Sequence, residues 1–501
     1  MLTNRQINNF ASIEDLIYIV IVSLYIFVFP QLLTKAAELG CLVSAGQFMF
    51  DKYAFLSKDF YTFTSVNSLW VDSNWLSGII YAFAHNLGGF NLIVIISSLI
   101  IGFSFVSVFR LMSQQYNNWF INIILLTLGI IASSECVEAN SRLFSLPIFI
   151  LFIFLLDKVH NEGTNKKFYG FIILLCILWA NFNTDFLLGS IAALTYMASL
   201  ILKYRKNKEP ELLLKARTFF IISLIPIAAS IATPYGINTL IMIESYFISG
   251  LYVYNGFLAS PDFHIKIPFG FFELFILLLI FLSLFSNYKP PLEKLLLSVV
   301  FLFLSLYSAV NIVFFILVVL PLLSDIIKNT DLTFNINFLK KLYDKTTINI
   351  APLKVYISII LSIIFFMIGI SVPEINKNIN YFKTYPVNAS NYINKVKLKG
   401  NIFNPLGWGC YLQNQTGCKV FITENMYQST SELAYDYGQI FNVYSSYEDV
   451  LDKYNINFVI MPAKTHISLL LENNNKWKKI YQDKTSCIYK KINAPAGSEK
   501  P

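Results

Sequence analysis

Seven acidic residues fall near the ends of the long hydrophobic segments of this 501-residue chain. A carboxylate can accept a proton from a hydroxyl group, and an ionisable group at a membrane boundary is costly unless it is hydrated or paired. If the hydrophobic segments cross a membrane, all seven lie on one side. This clustering indicates a polar cavity there, although avoidance of a basic opposite face explains it equally well. The residues are Asp51, Asp59, Asp72, Glu135, Glu138, Asp185 and Asp262.

Three further patterns place polar groups beside these carboxylates. Asp262 and His264 form an Asp-x-His pair that could bind a metal ion, although two ligands are a weak signal. Lys266 follows and could contact a phosphate group or simply mark the start of a helix. Asn183 precedes Asp185 by two residues, so this pair could form part of a substrate site.

Glu135, Glu138 and Arg142 follow one another at helical spacing. Residues three and four apart share one face of a helix, so Arg142 could pair with Glu138. Such a group could bind substrate. A local ion pair at a helix end is the simpler interpretation, and the spacing favours it.

The composition predicts a polytopic membrane protein. Hydrophobic residues make up 55% of the chain and charged residues 14%, against about 25% charged in a soluble domain. We predict about eleven membrane-spanning helices in residues 1–375, with a first outside loop over 34–87. The predicted helices cover 13–33, 88–109, 119–134, 141–157, 168–182, 184–203, 217–234, 269–286, 293–308, 309–327 and 354–372.

Lysine and arginine residues predict the orientation. Seventeen lie in one alternate set of connecting segments, and the other set holds Lys35, Lys52, Lys58, Arg142 and Lys266. Because cytoplasmic loops of membrane proteins are enriched in Lys and Arg, the N-terminus is predicted to be cytoplasmic. This distribution also explains the net charge of +8, which therefore does not indicate nucleic-acid binding.

Residues 376–493 are predicted to form a small α/β domain on the extracytoplasmic side, followed by a disordered tail over 494–501. Buried strands are predicted at Asn401–Asn404, Lys419–Thr423 and Asn457–Pro462, and an edge strand at Ser486–Lys490. A helix capped by Ser446 is predicted over 446–454. Cys410 and Cys418 flank a polar turn, and either a disulfide or two free thiols is compatible with the sequence.

Four stretches of the chain together resemble bacterial membrane enzymes of the C-type glycosyltransferase superfamily, which use polyprenyl-phosphate-linked sugars. The resemblance runs in order along most of the chain. The stretches are LSKDFYTFTSVNSLWVDSNWL (56–76), LWANFNTDFLLG (178–189), TPYG (233–236) with SPDF (260–263), and NIFNPLGWGCYL (401–412) with KVFITEN (419–425).

The resemblance implies a bacterial inner-membrane enzyme that transfers a hexose or pentose to an extracytoplasmic glycan, lipid or protein. Its partners would be membrane lipid, the lipid-linked donor and the acceptor. The acidic residue that the family's first outside loop supplies as a base or metal ligand would be Asp59, with Asp72 and Asp185 as further catalytic candidates. A divalent cation, Mg or Mn, would be held by Asp59 or Asp262.

The chain departs from this family at three positions. Relatives usually carry His where Asn183 stands, Arg where Val310 stands, and FIDGR where this chain reads FITEN. The missing His and Arg remove a proton carrier and a phosphate-binding cation. These departures motivate an alternative, a non-catalytic subunit or scaffold in an envelope complex. A lipid-linked-glycan transporter is a further alternative, although paired inverted halves are missing from the sequence.

Overall fold

Most of the chain is helical, and the helices follow the hydrophobic segments of the sequence. The computed structural model describes residues 13–34, 38–66, 68–163, 166–249, 259–330, 360, 362–365, 367, 385–423 and 431–492. The chain divides into two units. The first comprises residues 1–33, 87–232 and 257–376, and the second comprises residues 34–86, 233–256 and 377–501.

The first unit is a helical bundle, and its helices agree with the predicted segments to within a few residues at most ends. Helix Trp75–Gln115 is longer than predicted and is interrupted at Gly88 and Gly89, where the backbone leaves the helical region. The helices are Ile13–Ser23, Pro30–Thr34, Trp75–Gln115, Trp119–Ala132, Ser145–Glu162, Lys166–Phe182, Phe186–Asn207, Pro210–Ala229, Phe269–Phe285, Leu292–Tyr307 and Ile312–Asn329.

Five helical segments of the described chain are long and apolar enough to cross a membrane: 75–115, 141–162, 186–207, 210–232 and 309–329. Three more apolar helices, at 119–132, 167–182 and 269–285, are shorter. The expected span at 354–372 lies almost wholly outside the described residues. The structure therefore supports a membrane protein, whereas the count of about eleven spans stays a prediction.

Helix Ile312–Asn329 forms the centre of the bundle. Thirteen of its eighteen residues are buried, and Gly129 on a neighbouring helix allows close approach, since a Cβ there would lie 2.8 Å from Ile316. Helix Pro210–Ala229 is the opposite case. It exposes large apolar side chains, among them Leu214 and Phe220, as a helix that faces lipid does. Burial thus separates a protein-facing helix from a lipid-facing one.

In the second unit, two segments that were predicted as loops contain helices. Helix Glu38–Lys52 lies in the first of them, and helix Asn238–Ser249 in the other. Both are too short or too mixed in composition to read as membrane spans, which is why hydropathy missed them. Cys41 of the first helix forms a disulfide with Cys410, while Cys418 is free. A pairing of Cys410 with Cys418 is therefore wrong.

The C-terminal part of the second unit contains a sheet of four strands: β1 (Asn401–Phe403), β2 (Ile456–Pro462), β3 (Trp477–Gln482) and β4 (Ser486–Lys491). Their order in the sheet is β1-β2-β4-β3. Strand β1 (Asn401–Phe403) is parallel to β2 (Ile456–Pro462), and the other pairs are antiparallel. Side chains of β2 alternate between two buried clusters, with Val459 in one and Phe458 in the other. Because both faces of the sheet are covered, β2 reads as a continuous apolar run.

Three details of this domain differ from the predictions. Strand β4 (Ser486–Lys491) is internal, because β3 (Trp477–Gln482), whose polar composition hid it, pairs with its outer edge. Residues 419–423 form no strand; Val420 only makes single bridges to Thr62 and Ile402. Ser446 makes no capping bond to helix Tyr447–Lys453, because its hydroxyl donates to Gln439. The predicted tail, 494–501, lies outside the described residues.

Five α-helices and one 3-10 turn lie in the described residues of the C-terminal part. Helix Gly409–Thr416 requires glycine at its start, since a Cβ at Gly409 would lie 2.1 Å from the carbonyl oxygen of Ile422. Trp408 packs into this part's own core with Tyr385 and Tyr411. The helices are Val387–Val396, Gly409–Thr416, Ser431–Phe441, Tyr447–Lys453 and His466–Glu472, with a short 3-10 turn at Leu406–Trp408.

Candidate functional site

Asp59 organises a turn in the segment that precedes helix Trp75–Gln115 in the second unit. Its Oδ1 accepts hydrogen bonds from the backbone N–H groups of Tyr61 (2.8 Å) and Thr62 (3.1 Å). Its Oδ2 accepts a 2.5 Å hydrogen bond from the Thr62 hydroxyl. The side chain is buried, and burial raises the pKa of its carboxyl while these hydrogen bonds lower it. Both oxygens of Asp59 are thus engaged in holding the turn.

This turn joins the segment before helix Trp75–Gln115 to the C-terminal sheet domain within the second unit. The N–H of Phe63 donates to the carbonyl of Val420 (3.1 Å), and the N–H of Val420 donates to the carbonyl of Tyr61 (3.0 Å). Since Val420 also bridges Ile402 of β1, residues around Thr62 extend the sheet beyond β1. The Cys41–Cys410 disulfide adds a covalent link between the same two parts.

Asp72 differs from Asp59 in how its carboxylate is engaged. It is buried at the start of helix Trp75–Gln115, and its Oδ1 accepts one hydrogen bond, from the N–H of Asn74 (3.0 Å). Its Oδ2 has no hydrogen-bond donor among the residues that the structure describes. Burial raises the pKa of Asp72 to about 6, against which the single hydrogen bond acts weakly. A carboxylate with these properties is a good proton acceptor near neutral pH.

Polar and aromatic groups surround Asp72 in the second unit. The Tyr235 hydroxyl, from the TPYG stretch, donates to the carbonyl of Leu56 (2.9 Å). Burial raises the pKa of Tyr235, and the Asp72 carboxylate raises it further. The amide of Asn74 donates to Glu38 (2.8 Å). Tyr235 and Glu38 were not predicted as site residues; only the resemblance at 233–236 pointed to Tyr235.

Arg142 joins three helix starts in the first unit. Its Nε lies 3.1 Å from Oδ2 of Asp185, and its Nη2 donates to Oδ1 of Asn311 (3.0 Å). The guanidinium carbon also lies 5.5 Å from the centre of the Phe314 ring. The predicted pairing of Arg142 with Glu138 is wrong, because the residues of 141–144 form a 3-10 turn rather than one continuous helix with Glu138. Glu138 is buried.

Asn183 lies beside this cluster with its amide fully engaged. Its Nδ2 donates to the carbonyl of Ser141 (2.7 Å), and its Oδ1 accepts from the N–H of Asp185 (2.9 Å). The Ser145 hydroxyl contacts the same amide at 2.9 Å and accepts from the indole N–H of Trp179 (2.8 Å). Asn183 therefore positions Asp185, and Ser145 and Trp179 are partners that the sequence pattern did not reveal.

Asp262 and His264 form an exposed pair in the first unit. Oδ1 of Asp262 lies 2.9 Å from both the backbone N and the Nδ1 of His264, and these contacts lower the pKa of Asp262. Lys266 is exposed, and its carbonyl accepts from Gly270 at the start of the next helix (3.0 Å). Within the described chain, no three His, Cys, Asp or Glu side chains group to hold a metal ion. This loop supplies two ligands at most.

The YDYG stretch of the C-terminal domain has a structural explanation. Asp436 pairs with the Lys453 ammonium (2.7 Å) and accepts from the Tyr454 hydroxyl (2.8 Å). The Tyr437 hydroxyl accepts from the N–H of Leu406 (3.0 Å). These side chains therefore connect elements inside the domain.

Comparison with known proteins identifies the fold. No family model matches the chain, and no curated protein matches it. Among solved structures, the chain is similar to the archaeal oligosaccharyltransferase AglB from Archaeoglobus fulgidus, in complex with an inhibitory peptide and a dolichol-phosphate. The TM-score is 0.52 at 9% sequence identity, and the match covers 97% of this chain and 74% of that one. The chain therefore shares the fold of that structure, and at this sequence identity the likeness extends to the fold alone.

Proposed function

We propose that the chain is a membrane glycosyltransferase that moves a sugar from a polyprenyl-phosphate-linked donor to an extracytoplasmic glycan, lipid or protein. The observation that carries this proposal is the fold, which matches an oligosaccharyltransferase over nearly the whole chain. That protein's structure contains a dolichol-phosphate, a lipid phosphate of the proposed donor class. The stretches that resemble the C-type glycosyltransferases support the same assignment.

Asp72 is the proposed proton acceptor for this reaction. The acceptor hydroxyl gives its proton to the Asp72 carboxylate as its oxygen bonds to the anomeric carbon of the sugar. The bond between that carbon and the phosphate oxygen breaks, and polyprenyl phosphate leaves with the electron pair. The unpaired Oδ2 and the raised pKa of Asp72 suit this role better than the fully hydrogen-bonded carboxylate of Asp59. Asp59 is then a positioning residue for the loop.

Arg142 is the proposed binding residue for a lipid phosphate at the helix starts of the first unit. The family residue at Val310 is usually Arg, and Arg142 contacts the adjacent Asn311 within the first unit. Its Nε and Nη2 atoms are engaged, while Nη1 has no hydrogen-bond partner in the described part of the chain. A guanidinium group pairs well with phosphate oxygens. Arg142, at the start of another helix, thus supplies a positive charge beside Asn311, next to the position where relatives usually carry Arg.

Two observations support an extracytoplasmic location for the second unit. Disulfides persist in oxidising compartments, and Cys41 and Cys410 form one. The distribution of Lys and Arg independently assigns the segments of both cysteines to the side opposite the basic loops. A resident Mg or Mn ion has less support, because the described carboxylates offer no three-ligand group. No step of the proposed reaction depends on a metal.

A non-catalytic subunit of an envelope complex is the second candidate. It is favoured by Asn183, which stands where relatives usually carry His. The side-chain amide of Asn183 is hydrogen-bonded to Ser141, Ser145 and Asp185. Such a residue cannot carry a proton. In this case, the chain would keep the fold as a scaffold, and a partner protein would supply the catalytic groups.

Reconstitution distinguishes these two functions. The purified chain in lipid nanodiscs is incubated with polyprenyl-phosphate-linked hexoses and pentoses, and released polyprenyl phosphate is measured by mass spectrometry. The enzyme proposal expects release from at least one donor and expects glycosylation of an added membrane extract. If no donor is consumed while one protein co-purifies in fixed ratio, the scaffold is correct.

A further inference from the structure

A shallow basin of about 890 Å³ lies on the C-terminal domain. It is bordered by helix His466–Glu472 and by the start of helix Tyr447–Lys453. Four asparagines dominate its lining, with one tyrosine and one histidine, and valine and leucine side chains lie between them. The polar lining residues are Asn442, Asn473, Asn474, Asn475, Tyr447, His466 and Lys476.

A network of hydrogen bonds holds Tyr447 in place. Its hydroxyl donates to Glu448 (3.0 Å) and accepts from the Asn474 amide (3.3 Å). Asn474 also donates to Glu448 (2.9 Å) and accepts from the N–H of Lys476 (2.9 Å). The hydroxyl of Tyr447 is thus occupied by the protein, and what remains for a ligand is the face of its ring.

The other polar groups of the basin retain unused hydrogen-bonding capacity. Among the described residues, the side chains of Asn442, Asn475 and His466 have no hydrogen-bond partner. Asn473 donates through Nδ2 to the carbonyl of Leu469 (3.0 Å), which leaves its Oδ1 available. Each side-chain amide can donate two hydrogen bonds and accept at two lone pairs. Amides therefore suit ligands whose neighbouring hydroxyl groups both donate and accept.

The charge of the basin and its exposed apolar area indicate the class of ligand that it could bind. Of the described residues that line it, none is a carboxylate, whereas Lys476 and His466 are basic. Leu469, 51% exposed, and the Tyr447 ring provide apolar area between the amides. Val443 in the wall has φ 58°, a conformation that β-branched residues rarely adopt. A flat apolar patch ringed by amides matches a pyranose, whose faces carry C–H groups and whose rim carries hydroxyls.

We propose that this basin binds a saccharide chain, neutral or acidic, and so holds a glycan acceptor or product on the C-terminal domain. The acceptor role rests on the proposed function, whereas saccharide binding itself does not. Tyr447 and Leu469 contact the apolar face of a sugar ring, and the amides of Asn442, Asn473 and Asn475 bond its hydroxyls.

Binding of labelled oligosaccharides to the full-length protein in detergent tests this proposal. The probes are fluorescent chitohexaose, which is neutral, and fluorescent hexagalacturonate, which is acidic. We expect at least one to bind with a Kd below about 10 mM, and the double variant Asn442→Ala/Asn475→Ala to weaken that binding about tenfold through two lost hydrogen-bonding groups. Asn391→Ala/Asn414→Ala, exposed on the same domain, is the matched control and should bind as wild type.

Tyr447→Phe separates the ring from its hydroxyl. Because the protein already uses the hydroxyl, we expect this variant to bind within about twofold of wild type. Absence of binding by both probes, or equal weakening by the basin and control pairs, would overturn the proposal. If the wild type binds a saccharide and Asn442→Ala/Asn475→Ala weakens that binding, but the wild type transfers no sugar, the basin is upheld and the proposed function is rejected. If the wild type transfers sugar but binds neither probe, the proposed function is upheld and the basin is rejected.

Discussion

Cys41 and Cys410 form a disulfide between residues 369 positions apart, with their Cα atoms 5.0 Å from each other. Both side chains are buried in one cluster with Tyr61 and Trp70. The bond therefore fixes helix Glu38–Lys52 to the start of helix Gly409–Thr416 within the second unit. It also gives the topology a chemical readout that does not depend on counting charged residues.

Loss of this disulfide should destabilise the second unit. We expect Cys41→Ser and Cys410→Ser each to cost roughly 2–4 kcal/mol, since the unfolded chain loses a long covalent loop. Thermal unfolding in detergent measures the effect, and Cys418→Ser, at a free cysteine, is the control. Maleimide labelling of Cys41 and Cys410 in intact cells without a reductant would contradict the disulfide.

Asp72→Asn should stabilise the protein at neutral pH. The pKa of Asp72 in the folded protein, about 6, lies above its ordinary value of 3.8, so the folded state binds the proton more tightly. Stability contributed by this group is full below about pH 4 and is lost as the pH rises to about 6. We expect Asp72→Asn to raise the free energy of unfolding at pH 7 by on the order of 2 kcal/mol.

Unfolding midpoints between pH 4 and pH 7 measure this difference, and Asp51→Asn, at an exposed carboxylate, is the control. The variant and the wild type should converge near pH 4. A variant that is less stable than the wild type at pH 7 would show that the ionised Asp72 is stabilised in the folded state.

Asp59→Ala should have the opposite effect on stability. The variant removes the acceptor of three hydrogen bonds and leaves the buried N–H groups of Tyr61 and Thr62 without it. Buried donors left unsatisfied cost about 1–3 kcal/mol each. We expect a clear fall in the unfolding midpoint at pH 7. An unchanged midpoint together with abolished sugar transfer would return Asp59 to the role of proton acceptor.

Arg142 should control binding of the lipid phosphate. We expect Arg142→Lys to weaken binding of polyprenyl phosphate about tenfold, since an ammonium group cannot keep the fork of contacts to Asp185 and Asn311 while it meets a phosphate. Lys266→Ala, at the exposed cation of the other candidate loop, is the control. Competition with a fluorescent lipid phosphate measures affinity, and a loss confined to Lys266→Ala would move the phosphate site to that loop.

Much of the bundle could be predicted from the sequence because apolar segments long enough to span a bilayer have few other structures open to them. Helices Ser145–Glu162 and Ile312–Asn329 were expected within a few residues of their observed ends. Helix Glu38–Lys52 was not, because its burial depends on Leu56, Tyr61 and Trp70 rather than on its own hydropathy. Strand β3 was missed for a similar reason, since pairing with β4 defines it.

The contacts of the candidate residues could be predicted only in part. Arg142 and Asp185 of the first unit were both named as candidates, yet the partner of Arg142 was placed four residues away instead of 43. Spacing along a helix reveals neighbours within the helix, whereas contacts between helices depend on how they pack. The same limit hid the disulfide. The difference between Asp59 and Asp72 also follows from hydrogen bonding that residue types alone do not specify.

Sugar transfer by Asp72→Asn, compared with Asp51→Asn, tests the central claim most directly. Both variants replace a carboxylate by an amide. Asp72 is buried and its Oδ2 has no hydrogen-bond donor among the described residues, whereas Asp51 is exposed. Release of polyprenyl phosphate from the donor that the wild type consumes is measured by mass spectrometry at pH 7.5. We expect a loss of at least about a hundredfold for Asp72→Asn and near-wild-type transfer for Asp51→Asn. Equal transfer by both variants would contradict the account.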